Sequence, residues 1–106
     1  MAYFVAMFHQ LKQKFNDAVL TYDGTTAKVN FNYNGFKCIS ELGCTSAKVK
    51  FYICEGFHVT GYVPYACTRL NLDAFMKKMA ELERDAKAKA VIIWRMRSAT
   101  EPCFHE

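Results

Sequence analysis

The chain has 106 residues, a net charge of +4 at neutral pH and 52% hydrophobic residues, enough apolar material for one domain with its own core. Its charges are spread along the sequence, and no apolar run approaches the ~18 residues of a membrane span, so we expect no membrane partner. The apolar start lacks a basic region and a cleavage site, which argues against a signal peptide. We therefore predict a single cytoplasmic domain over residues 1–106, with reduced cysteines and a loose tail at 99–106.

The first predicted element is a helix over residues 3–17. Its apolar side chains recur at spacings of four, three and four residues and form one stripe, made of Phe4, Phe8, Leu11 and Phe15. Polar residues such as Lys12 fill the remaining surface. This spacing predicts a helix that packs one side against a core.

Five antiparallel strands are predicted next, each joined to the following one by a short turn. Apolar and polar side chains alternate along them, which is typical of strands with one buried and one exposed face. Residues that favour turns separate the strands at 23–24, 34–35, 43–46 and 55–57. We therefore expect a meander, in which each strand pairs with its neighbour in the chain.

The turn at 34–35 fixes the register of the second and third strands. A two-residue loop of Asn and Gly places Phe31 opposite Cys38 on the buried face. The same register places Lys28 opposite Glu41 on the exposed face. Apolar side chains thus meet one another and opposite charges meet, so this register is self-consistent.

The last hairpin allows two loops. A two-residue loop would put His58 on the face of Ile53, whereas a three-residue loop at 55–57 sets Ile53 opposite Val59 and keeps one face apolar. We therefore predict the three-residue loop. It also makes Cys54 and His58 neighbours on the exposed face.

A second helix is predicted from about Leu72 to Lys87, with Asn71 as its N-cap. Residues 90–94 are apolar on both faces, which favours a covered strand. The predicted fold is therefore α+β, in the order helix, five-strand antiparallel meander, helix and final strand. Both helices should pack on one face of the sheet, because each has one apolar stripe and the sheet has one apolar face.

The exposed sheet face and the neighbouring hairpin tip form the predicted contact surface. Its residues are Lys48, Lys50, Tyr52, Glu55, Phe57, His58, Thr60 and Tyr62. Tyrosine buries a large area while its hydroxyl stays hydrogen-bonded, so the surface suits a protein partner. The competing explanation is that strands favour Tyr and Thr, and that Lys protects an exposed sheet from aggregation.

Nucleic acid is the alternative partner for the same surface. Lysines contact phosphates and tyrosine rings stack on bases, and the residues in these roles are Lys48, Lys50, Tyr52 and Tyr62. A net charge of +4 without a basic cluster is a faint electrostatic signal for such a ligand. The protein partner is therefore preferred.

Two arrangements of cysteine and histidine suggest chemistry. Cys54 beside His58 is the minimum of a thiol nucleophile, but no third residue orients the imidazole. A zinc site would need distant ligands, with no paired C-x2-C spacing among them: Cys44, Cys67, Cys103 and His105. We therefore expect no enzyme, no metal and no other cofactor.

The resulting functional hypothesis is a small non-enzymatic protein-binding module that acts in the cytoplasm through its sheet face and hairpin tip. Its size, single domain and cysteine-rich composition also suit a small phage-encoded inhibitor of a bacterial defence complex, although no motif carries that category. The second hypothesis is a single-stranded nucleic-acid-binding domain, and the third is a thiol enzyme.

Overall fold

The computed structural model describes residues 3–66 and 69–100. It contains two helices and one antiparallel sheet of five strands, and this confirms the predicted α+β class and meander. In chain order the elements are α1 (Tyr3–Lys14), β1 (Val19–Tyr22), β2 (Ala27–Tyr33), β3 (Phe36–Leu42), β4 (Ser46–Cys54), β5 (Phe57–Pro64) and α2 (Leu72–Thr100).

Helix α1 ends three residues earlier than predicted, at Lys14. The N–H of Phe15 still donates to the carbonyl oxygen of Leu11 at 2.8 Å, and the ammonium group of Lys12 holds the turn that follows by donating to the carbonyl oxygens of Asn16 at 2.6 Å and Ala18 at 3.2 Å. The predicted stripe is confirmed at Phe4, Leu11 and Phe15, whereas Met7 is buried more deeply than Phe8.

The strands lie in the sheet in their chain order, β1-β2-β3-β4-β5. The predicted register between β2 and β3 is confirmed, with Phe31 opposite Cys38 and Lys28 opposite Glu41. The turn between them has positive φ at both central residues, 49° at Asn34 and 89° at Gly35, as a type I′ turn requires.

The first hairpin has a longer loop than a two-residue turn at 23–24 would give. Tyr22 pairs with Ala27, so four residues connect β1 and β2. The Asp23 carboxylate accepts hydrogen bonds from the backbone N–H groups of Thr25 and Thr26, at 2.9 and 2.8 Å. These bonds hold the pKa of Asp23 below its ordinary value and stabilise the wider turn.

The predicted pairing of β4 with β5 is wrong by two residues. Cys54 pairs with Phe57 across a two-residue turn, Phe51 lies opposite Val59, and a β-bulge falls between Tyr52 and Cys54. The bulge adds one unpaired residue to β4, which restores the alternation that the shorter loop would otherwise have broken. Val59 therefore still faces the core, as predicted, although its partner differs.

Both helices pack on the same face of the sheet, as predicted. Phe15, which follows α1, stacks on Phe31 of β2 with ring centroids 4.3 Å apart, and Phe75 of α2 contacts both rings at 6.4 Å. At the other side of the core, Leu82 of α2 lies against Gly61 of β5, where an added Cβ would meet the leucine side chain at 3.1 Å. We call this the covered face.

The predicted final strand at 90–94 is wrong, because α2 continues as one helix to Thr100. Alanine and lysine dominate residues 86–90, and neither glycine nor proline interrupts the helix there. The buried side of α2, which carries Phe75, Met79, Leu82 and Ala86, continues by two turns to Ile93, which is 6% exposed. Residues 99 and 100, predicted as tail, also belong to α2, and the predicted tail at 101–106 lies outside the described residues.

Within the described ranges, neither helix combines the length and the hydrophobicity that crossing a membrane requires. The core is one continuous cluster that joins residues of α1, the strands and α2. Asn71 caps α2 as predicted, because its side-chain oxygen accepts a hydrogen bond from the N–H of Ala74 at 3.1 Å.

Candidate functional site

The face of the sheet opposite the helices is the candidate site, and we call it the open face. Strand alternation and the observed register assign its side chains. They include Val19, Thr21, Lys28, Asn30, Asn32, Lys37, Ile39, Glu41, Lys48, Lys50, Tyr52, His58, Thr60 and Tyr62. Six of the eight residues predicted for the contact surface are among them.

These six residues form three neighbouring cross-strand pairs between β4 and β5. Lys48 lies opposite Tyr62, and Lys50 lies opposite Thr60. Tyr52 lies opposite His58, with ring centroids 6.0 Å apart. The structure therefore brings the predicted lysines and tyrosines together on one surface, and Tyr62 is 58% exposed.

The other two predicted residues, Glu55 and Phe57, lie at the hairpin tip. Glu55 is exposed in the turn beside Gly56, whose φ of 83° suits glycine. Phe57 precedes His58 in β5, so its side chain lies on the side of the covered face rather than the open face. Phe57 therefore lies on the opposite side of the sheet from Tyr52 and Tyr62.

A ring-and-cation row crosses the open face near this tip. The ammonium group of Lys37 lies 5.8 Å from the centroid of the Tyr52 ring, and Tyr52 in turn contacts the His58 ring. A lysine over an aromatic face is attracted by the ring quadrupole. Lys37 was not in the predicted contact set, although the register of β3 against β4 places it opposite Tyr52.

The open face carries more positive than negative charge. Its lysines are Lys28, Lys37, Lys48 and Lys50, and its acidic residue among those described is Glu41. Glu41 lies 4.0 Å from the Lys50 ammonium group, and both side chains are partly exposed. Such a surface ion pair contributes little to stability, so the excess of lysine remains available to a partner.

Two apolar side chains interrupt the polar surface, and sequence reasoning did not select either. Ile39 is half-buried between Asn30 and Lys50, in the middle of the open face. Val19 is exposed at the edge strand β1, opposite Asn30. The alternation of side chains along β3 could have predicted the position of Ile39, because its neighbours Cys38 and Ser40 face the core.

The prediction that Cys54 and His58 are neighbours on the exposed face is wrong. The bulge in β4 turns Cys54 to the side of Phe57, and its sulfur lies 3.7 Å from the Arg97 guanidinium of α2. His58 lies on the other side of the hairpin, opposite Tyr52. The two side chains therefore do not form a nucleophile and base.

The predicted zinc ligands fall largely outside the described residues. Cys67, Cys103 and His105 lie there, whereas Cys44 is exposed in the loop between β3 and β4. Within 3–66 and 69–100, no group of three or more His, Cys, Asp or Glu side chains is arranged to hold a metal ion.

A shallow cleft of about 340 Å³ lies at the end of the sheet, between the first and third hairpin loops. Its lining includes Tyr3, Glu41, Cys44 and Lys48. The Tyr3 hydroxyl donates to the carbonyl oxygen of Leu42 at 3.3 Å, and burial, together with the nearby Cys44 thiol, raises the pKa of Tyr3.

The site thus consists of an amphipathic, cationic sheet surface with exposed aromatic rings. No protein-family model, curated protein or solved structure matches the chain, so the residues of the open face carry the functional argument.

Proposed function

We propose that this protein is a small non-enzymatic protein-binding module that contacts its partner through the open face and the adjoining hairpin tip. The observation that carries the proposal is the uncovered block of three cross-strand pairs, in which Tyr52 and Tyr62 stand among Lys48, Lys50 and His58. The helices lie on the other face, so no helix covers either tyrosine; Tyr62 is exposed and Tyr52 is half-buried among its neighbours on the open face.

The chemistry of this block suits a flat partner surface that carries carboxylates. A tyrosine contributes a large rigid area to an interface, and its hydroxyl remains hydrogen-bonded at the rim. The lysines beside the tyrosines favour an acidic partner and accelerate its encounter. An inhibitory role belongs to the same proposal, because a module without chemistry of its own acts by occupying a surface that another molecule needs.

The test is a double substitution, Tyr52→Ala with Tyr62→Ala. Capture from the native host followed by mass spectrometry identifies the partner, and calorimetry with the purified partner gives the dissociation constant. We expect the double variant to bind at least about 100-fold more weakly, since two anchor residues are truncated. Thermal stability should fall only modestly, because neither side chain belongs to the core and the loss is limited to the contacts of Tyr52 with Lys37 and His58.

Tyr22→Ala is the matched control. Tyr22 is 54% exposed, close to the 58% of Tyr62, but it lies on the covered face, where its ring contacts Phe4. We expect this variant to keep full affinity despite some loss of stability. Full affinity in the Tyr52 and Tyr62 double variant would show that the open face is not the contact surface.

A single-stranded nucleic acid is the second candidate ligand, favoured by the row of Lys37, Tyr52 and His58. Lysines on both sides of a stacking platform match the requirements of a phosphate backbone with unstacked bases. The probe is an oligothymidylate titrated over a range of salt concentrations. A logarithm of the binding constant that falls against the logarithm of salt concentration, with a slope of about 0.7 per phosphate contact, would support this function. The absence of binding at low salt would exclude it.

A further inference from the structure

The outer side of the last third of α2 is a second exposed surface, separate from the open face. Ile92 is 57% exposed, and Val91 and Met96 beside it are also exposed, whereas Ile93 on the inner side is buried. Apolar side chains all around a helix are typical of a helix that is buried on all sides. Among the described residues, the sheet covers only the side of α2 that carries Ile93.

Four exposed residues form a straight stripe along this outer side. They are Asp85, Ala88, Ile92 and Arg95, at spacings of three, four and three residues. This is the spacing of the contact positions in a two-stranded coiled coil. We call these four residues the outer stripe.

The charges of the outer stripe are arranged symmetrically about its apolar middle. Asp85 lies at one end and Arg95 at the other, ten residues or about 15 Å apart along the helix axis. Neither forms an ion pair within the described part of the chain. An antiparallel helix with the same stripe therefore presents an arginine to each aspartate and an aspartate to each arginine.

The apolar residues match in the same arrangement. A twofold axis at the level of Ala90 brings Ala88 opposite Ile92 of the second copy, so a small side chain faces a large one. Val91 and Met96 flank this contact on either side. A parallel pair would instead set Asp85 against Asp85 and Arg95 against Arg95, and like charges in contact are unfavourable.

We infer that the outer stripe binds a second copy of this chain, with the two α2 helices antiparallel. The contact involves about three turns of one helix from each copy, so it is smaller than the roughly 800 Å² per partner of a standard interface. The dimer is therefore weak, with a dissociation constant on the order of 100 µM at low salt. The open face lies on the far side of the sheet and stays accessible in the dimer.

The test uses charge reversal at the two ends of the stripe. Each single substitution, Asp85→Arg or Arg95→Asp, places like charges opposite one another when two copies of the same variant pair. We expect each variant to dissociate roughly tenfold more readily than the unchanged chain. In an equal mixture of the two variants, every facing pair is again of opposite charge, so the mixture should regain association.

Sedimentation equilibrium measures the association of the unchanged chain, of each charge-reversal variant and of their mixture. The protein concentration extends to about 1 mM, well above the expected dissociation constant. Lys77→Asp is the matched control, since it makes the same change of charge as Arg95→Asp in the first half of α2. Circular dichroism confirms that each variant is folded. A purely monomeric chain at the highest concentration and low salt would overturn the inference, as would association that the mixture does not regain.

Discussion

Ser40 is the one polar residue buried in the core among the described residues, and it makes a sharp test of how this core is packed. Its side chain lies on the covered face in the middle of β3, between Val29 of β2 and Val49 of β4. All three residues are fully buried. The Ser40 hydroxyl has no hydrogen-bond partner within the described part of the chain.

Ser40→Ala should therefore raise the free energy of unfolding. A buried hydroxyl without a partner costs about 1–3 kcal/mol of desolvation, which the substitution removes. The deleted oxygen leaves a void of order 10–15 Å³, worth about 0.3 kcal/mol at the usual cost per cavity volume. The net gain is about 1 kcal/mol, equivalent to a rise in Tm of roughly 4 °C or more for a domain of this size.

Urea unfolding and a thermal scan, both followed by circular dichroism, give two independent measures of this change. Val49→Ala is the control in the same cross-strand row, and it should lose about 2 kcal/mol because it removes apolar contacts without removing a polar group. A Ser40→Ala variant that is less stable than the unchanged chain would show that the hydroxyl is hydrogen-bonded and would refute the reasoning.

Two further predictions concern pH and capping. Burial raises the pKa of Cys38 to about 12 from 9.0, so between those pH values the unfolded chain releases a proton that the folded chain keeps, and stability falls as pH rises. Cys38→Ala should flatten this fall in alkaline urea titrations, unless the thiol ionises normally in the folded state. Asn71→Ala should cost about 1 kcal/mol by thermal unfolding, whereas Asn71→Asp keeps the cap; equal losses would contradict the capping role.

The faces of the sheet could be predicted because side-chain alternation has a period of two. Once the Asn34-Gly35 turn fixed the register of β2 against β3, each neighbouring residue was assigned to a face. The same rule misjudged β4 against β5. A longer loop and a short loop with a bulge place Val59 on the same face, and alternation alone does not distinguish them.

The second helix shows a different limit of sequence reasoning. A short apolar run such as 90–94 fits a buried strand and a helix equally well, and periodicity does not decide between them. The alanines and lysines before the run favour a continuous helix. The outer stripe was missed for this reason, since its spacing exists only in a helix.

The identity of a partner was not predictable from the open face. A catalytic site repeats residue types that its reaction requires, whereas a binding surface is the complement of one particular molecule. The lysines and tyrosines around Tyr52 indicate the charge and shape of a partner's surface, but they do not identify the partner. Comparing the affinity of the Tyr52 and Tyr62 double variant with that of the Tyr22 variant therefore tests which face of the sheet makes the contact, whatever the partner is.

The order of the strands has a kinetic consequence. Since every strand pairs with the one before it in the chain, most hydrogen bonds of the sheet close short loops. Proteins dominated by such near-neighbour pairings cross the folding barrier faster than those that must join distant segments. The core is less local than the sheet, because Phe75 of α2 contacts Phe31 of β2, more than forty residues earlier in the chain.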